Sequence, residues 1–80
     1  MKIMFYGRLA ESIAPQIDLE AGPGSSIAEV RRLLAAEHPL AAATLANRRS
    51  VACVRGSVVR DDYHIVEGDW VEFLPPVSGG

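Results

Sequence analysis

Residues 16–34 read QIDLEAGPGSSIAEVRRLL, and the spacing of the apolar positions changes inside that stretch. Over Gln16, Ile17, Asp18, Leu19 and Glu20 polar and apolar residues alternate, as in a half-buried strand. Ala21, Gly22, Pro23 and Gly24 then interrupt the pattern with turn-forming residues. Ser26 and Glu29 stand at capping-box spacing: the Ser26 hydroxyl accepts from the Glu29 amide, and the Glu29 carboxylate accepts from the Ser26 amide. Ile27, Val30, Leu33 and Leu34 follow at helical spacing, with Arg31, Arg32 and Glu37 on other faces. Pro39 ends the helix near Glu37 or His38, because a residue before proline avoids helical angles.

Outward from this switch, residues 1–8 read as a strand. Ile3 and Phe5 face inward, and Lys2, Met4 and Tyr6 the other way. Residues 12–15 are a connection, and residues 41–46 a second short helical turn. Residues 51–54 form a strand, Arg55-Gly56-Ser57 a turn, and Val58-Val59 a short strand broken by Asp61-Asp62. Glu67-Gly68-Asp69 is another turn before a last strand over residues 70–74. Pro75 and Pro76 lack amide hydrogens and stop it. Strands on both sides of one main helix predict a mixed sheet with one helical face, a two-layer α+β domain. Its expected core is Ile3, Phe5, Leu19, Ile27, Val30, Leu34, Val54, Val71 and Phe73.

With 80 residues the chain makes one domain with a modest core. A hydrophobic fraction of 49% and a charged fraction of 22% are ordinary for a soluble globular protein. The net charge of −2 disfavours a nucleic-acid surface, which needs clustered Lys and Arg. Cys53 is the single cysteine, so no internal disulfide forms. No segment is long and apolar enough to span a bilayer or to serve as a secretion signal, so the expected location is cytoplasmic.

Catalytic constellations are missing from the sequence. His38 and His64 have no partners at metal-ligand spacing, and no metal site is expected. Cys53, among apolar neighbours, reads as a small buried hydrophobe. Arg48-Arg49 suits either an acidic partner or a solvated loop, the loop being favoured, and Asp61-Asp62 lacks the further carboxylates of a calcium loop. Gly22-Pro23-Gly24 is followed by no Lys-Ser or Lys-Thr of a phosphate loop.

The ending carries more. Residues 75–80, Pro-Pro-Val-Ser-Gly-Gly, divide from a folded body of residues 1–74 as a flexible reactive tail. They extend roughly 20 Å at about 3.3 to 3.6 Å per residue. Gly79-Gly80 has no side chains and can thread a channel that excludes a Cβ. The functional group at its tip is the Gly80 carboxylate. That group becomes an acylating agent only when activated, so the tail suits a substrate processed in another protein's active site.

These features resemble the MoaD-type sulfur carriers, the small subunits of molybdopterin synthase, of the ubiquitin-like β-grasp fold. The likeness is carried by Lys2-Ile3-Met4-Phe5-Tyr6-Gly7, by Ser26-Ile27-Ala28-Glu29-Val30-Arg31, and by residues 54–58 and 65–71. It ends in Phe73-Leu74-Pro75-Pro76-Val77-Ser78-Gly79-Gly80, its most specific part. Two positions depart from the family pattern: Arg55, where Asn is usual, and Trp70, where Glu is usual.

The resemblance implies a cycle. An E1-like adenylyltransferase activates Gly80 with ATP. A sulfur donor of the cysteine desulfurase or rhodanese type converts it to a thiocarboxylate. The tail then enters the large subunit of a heterotetrameric synthase and gives sulfur to precursor Z (cyclic pyranopterin monophosphate), forming the molybdopterin dithiolene. Catalytic side chains would belong to the partners, the chain alone would be non-catalytic, and no cofactor would be bound permanently. In a β-grasp sheet the first and last strands are parallel neighbours, so Tyr6 and Leu74 are expected together near the tail, with Val58 joining them. These three, with Pro75, Pro76, Val77 and Ser78, form the expected partner surface, and Gly79 threads the channel. The alternatives are a β-grasp carrier for thiamine or another thiolated metabolite, a ubiquitin-like protein modifier, and a plain interaction module.

Overall fold

The computed structural model describes residues 1–46 and 49–76. Strand β1 (Lys2–Phe5) pairs antiparallel with β2 (Gln16–Asp18) through Ile3 and Ile17. Between them lies a helix that the sequence pattern did not predict, α1 (Arg8–Ser12), which buries Leu9. The expected strand over residues 1–8 therefore stops at Phe5, and the expected connection over residues 12–15 begins later. Gly7 causes the difference. It sits at φ 63°, ψ −135°, outside the range of ordinary side-chain-bearing residues, and turns the chain into the helix.

The main helix α2 (Ile27–Glu37) begins at the predicted capping box. The Glu29 amide donates to Ser26 Oγ at 3.1 Å, and the Ser26 amide to Glu29 Oε1 at 2.9 Å. Beyond His38 a 3-10 turn (Pro39–Ala41) leads into α3 (Ala42–Leu45), which covers the predicted second helical turn. Strands β3 (Val51–Val54) and β4 (Ser57–Val59) form a hairpin, and β5 (Val71–Leu74) completes a sheet of order β2-β1-β5-β3-β4. β5 runs parallel to β1 and antiparallel to β3. This mixed sheet on one main helix is the β-grasp arrangement that the resemblance implies.

All nine expected core residues are buried, joined by Leu9, Ala41, Leu45, Ala52 and Ile65. The Phe5 and Phe73 rings stack on neighbouring central strands. One face assignment is reversed. Leu33 is 41% exposed, whereas Arg31 is 8% exposed. The buried stripe of α2 is Ile27, Val30, Arg31 and Leu34, spaced i, i+3, i+4, i+7. Arg31 occupies it because its charge is fully engaged. Its Nε donates to Asp61 at 2.9 Å, Nη1 to the Leu45 carbonyl and to Ser50 Oγ, and Nη2 to the Ser50 carbonyl. The guanidinium also lies 5.2 Å from the Phe73 ring centroid. A buried charge persists only with such partners.

The two departures from the family pattern have local explanations. Arg55 and Gly56 turn the β3–β4 hairpin with positive φ at both positions, where Asn is favoured at the first. Arg55 instead pairs with the buried Asp69, which also accepts from the Tyr63 hydroxyl at 2.7 Å and the Val66 amide at 3.0 Å. Trp70 lies on the open sheet face with Lys2 Nζ 4.6 Å from its ring centroid, a cation–π contact.

Candidate functional site at the root of the tail

The register of β1 and β5 aligns Met4 with Glu72 and Phe5 with Phe73. Tyr6 and Leu74 therefore leave the sheet side by side, on the face away from α2. The Tyr6 amide donates to the Phe73 carbonyl at 3.1 Å and extends the parallel ladder by one rung. Past Leu74 the chain runs into exposed Pro75 and Pro76, which cannot continue the ladder. Gly7 faces Pro75: a Cβ at Gly7 would stand 2.8 Å from Pro75 Cγ. Glycine is required there twice, for its positive φ and for the proline ring laid against it.

A cleft of about 510 Å³ opens at this corner. Tyr6, Leu74, Pro75 and Pro76 line its sheet side, and Leu9, Ala43 and Thr44 its helical side. Arg8, Arg49 and the buried Ser50 also line it, and among the described residues the lining includes no Asp or Glu. Such a site suits an anionic group seated on an apolar floor, not a cation. Among the described residues, no group of three or more His, Cys, Asp or Glu is placed to hold a metal ion.

On the open sheet face, the Tyr6 hydroxyl donates to Glu72 Oε2 at 2.7 Å. That bond raises the phenol above its ordinary pKa, with smaller contributions from burial and the Glu72 charge. Cys53 is half-buried on the same face, opposite both Val58 and Glu72. Burial first, and the Glu72 charge second, push its thiol up, so it stays a thiol near neutrality.

The expected partner surface is brought together only in part. Tyr6, Leu74, Pro75 and Pro76 share one corner. Val58 is 71% exposed on the same sheet face, but it sits on β4, two strands from Leu74, level with Glu72 rather than with Leu74. It does not adjoin the tail root. Val77, Ser78, Gly79 and Gly80 lie outside the described residues. Gly7 and Arg8 were not among the expected site residues, and for Arg49 the sequence favours a solvated loop over an acidic-partner site. The available signal for Gly7 was its position just after an apolar strand, a usual place for a sharp turn.

The sequence matches the ThiS family over residues 3–80, the two glycines included. The chain belongs to the ThiS family. Among curated proteins, this ThiS-family chain is 28% identical over 80 residues to the molybdopterin synthase sulfur carrier subunit of Escherichia coli (strain K12), covering 100% of this chain and 99% of that one. Among solved structures it resembles SAMP1 from Haloferax volcanii, with TM-score 0.76 and 19% identity over 99% of this chain and 97% of that one. It also resembles a chain in the complex of subunits 1 and 2 of molybdopterin-converting factor from Helicobacter pylori, with TM-score 0.65 and 19% identity over 99% and 96% of the two chains. The two structural likenesses establish the β-grasp fold.

Proposed function

We propose that this chain is the sulfur-carrier small subunit of a molybdopterin synthase, with Gly80 as its reacting residue. The observation that carries this is the setting of the tail. β5 lies at the centre of the sheet and leads into two prolines at an open corner, and the sequence beyond them is Val-Ser-Gly-Gly. Full-length similarity to the E. coli carrier supports the choice among β-grasp functions.

In the proposed cycle the Gly80 carboxylate attacks ATP on an E1-like enzyme, releasing pyrophosphate and leaving an acyl-adenylate. The donor's persulfide then displaces AMP to give an acyl disulfide, and a thiol reduces its S–S bond to leave the thiocarboxylate. This delivers its sulfur to precursor Z in the large subunit, water hydrolysing the acyl group back to the carboxylate. The folded body supplies a rigid base for the tail, and Tyr6, Leu74 and the proline pair supply contacts around its root.

Intact-mass analysis of the protein from its native host tests this. The expected result is a population in which one oxygen is replaced by one sulfur, lost when the sulfur donor is removed. Higher-mass conjugates joined through Gly80, with no thiocarboxylate, would replace the carrier function with that of a protein modifier.

A further inference from the structure

The chain as a whole carries more acidic than basic side chains, 10 against 8. The cleft at the tail root reverses that balance, with Arg8 and Arg49 in its lining and, among the described residues, no carboxylate. Among the described residues neither arginine is in an ion pair, unlike Arg31 with Asp61 and Arg55 with Asp69. Both are exposed, so they can reorient towards an arriving group. Arg31, which donates to the lining residue Ser50 from behind, is already neutralised by Asp61 and adds no such freedom. The same lining includes the apolar Leu9, Leu74 and Pro75.

We infer that this cleft docks a carboxylate-bearing, partly apolar segment of the large subunit that receives the tail. This rests on the proposed carrier function, which puts that subunit's surface against the tail root whenever the tail is inserted. Guanidinium groups hold carboxylates through paired N–H donors, and the apolar lining accepts the aliphatic part of the same segment. The arrangement is electrostatically complementary and lies at the interface edge, so it acts mainly on encounter rate and salt dependence. Because Arg8 stands on the helix that starts at Gly7, docking there also fixes the direction in which Pro75 leaves the body.

The test measures binding of the parent chain and of Arg8→Glu, Arg49→Glu and the double variant to the cognate large subunit across a range of salt concentrations. Arg32→Glu, the same charge change on the exposed side of α2, is the control. All variants are first checked by thermal melting for an unchanged fold. The expected result is at least tenfold weaker binding for the double variant at low salt, with the gap closing at high salt and Arg32→Glu remaining within twofold of the parent. If the parent binds and the double variant binds equally well at every salt concentration, the docking inference is overturned and the carrier function stands. An equal loss for Arg32→Glu would likewise overturn it, leaving only an effect of overall charge. If the parent itself fails to bind, both fall together.

Discussion

Gly7 and Asp69 show how much single residues decide in so small a molecule. Gly7 combines a backbone conformation that costs other residues about 1–3 kcal/mol with direct contact to the Pro75 ring. Gly7→Ala should therefore lower the unfolding free energy by at least that strain. Part of the loss should be recovered in the Gly7→Ala/Pro75→Ala double variant, where the ring no longer meets the new Cβ. A double-mutant cycle reads the coupling, and strict additivity would show that the close approach is not felt. Asp69 is buried and held below the ordinary aspartate range, first by the Val66 amide, then by the Tyr63 hydroxyl and the Arg55 charge. Its folded pKa lies below its unfolded value of about 3.9, so the unfolded chain takes up the proton first on acidification. The stability it contributes is fully present above that value and is lost as pH falls through the folded pKa. Asp69→Asn should flatten the loss of stability as pH falls below the unfolded value of about 3.9, measured by urea unfolding at several pH values. An unchanged acid profile would mean that other carboxylates, such as the capping Glu29, carry the effect.

At the level of elements, α2 shows what was legible in the sequence and what was not. Its start was readable because a capping box is a local device: Ser26 and Glu29 suffice, whatever the rest of the chain does. Its end was readable from Pro39. Its buried face was only partly readable. Apolar character picked out Leu33 and passed over Arg31, because the partners that make Arg31 burial tolerable stand 14 to 30 residues away. The spacing of Ile27, Val30 and Leu34 already placed position 31 in the stripe, and spacing was the better guide. Removing one member of a buried charged network costs about 3–5 kcal/mol. Arg31→Ala should accordingly destabilise by several kcal/mol, while Arg32→Ala, on the exposed neighbour, should shift the denaturation midpoint little. Similar midpoints for the two would remove Arg31 from its structural role. Helix α1 escaped for a different reason. It is five residues long with no side-chain cap, and the Gly7 turn rather than its composition starts it.

For the molecule as a whole, the mixed sheet on one main helix followed from the order of elements, and the parallel pairing of the first and last strands from the family resemblance. The corner cleft did not. It is assembled from residues at positions 6, 8–9, 43–44, 49–50 and 74–76, and no local pattern announces that these meet. The same distribution separates stability from function. Gly80 comes six residues after the end of β5 in the sequence and has no side chain to bury, so its deletion should leave the melting temperature of the parent. On the proposed chemistry the deletion draws the carboxylate back by about 3.3 to 3.6 Å, and misplacement by about 1 Å already costs around a hundredfold in rate. The truncated chain should therefore fold normally and fail in an ATP-dependent thiocarboxylation assay with its activating enzyme. Sulfur delivery at the parent's rate would remove Gly80 as the reacting residue.

The parallel pairing of β1 with β5 also bears on how the molecule is made. Ile3 finds its partner Val71 only after nearly the whole chain has been synthesised, and β3 waits for the same strand. Contacts so distant in sequence close late and slowly. A nascent or truncated chain lacking β5 has a β1–β2 hairpin and a β3–β4 hairpin with nothing to join them. The corner formed by Tyr6, Gly7 and Pro75 then does not exist. A partner that recognises this corner thus engages only chains whose last strand is already in place, so recognition doubles as an inspection of completed folding.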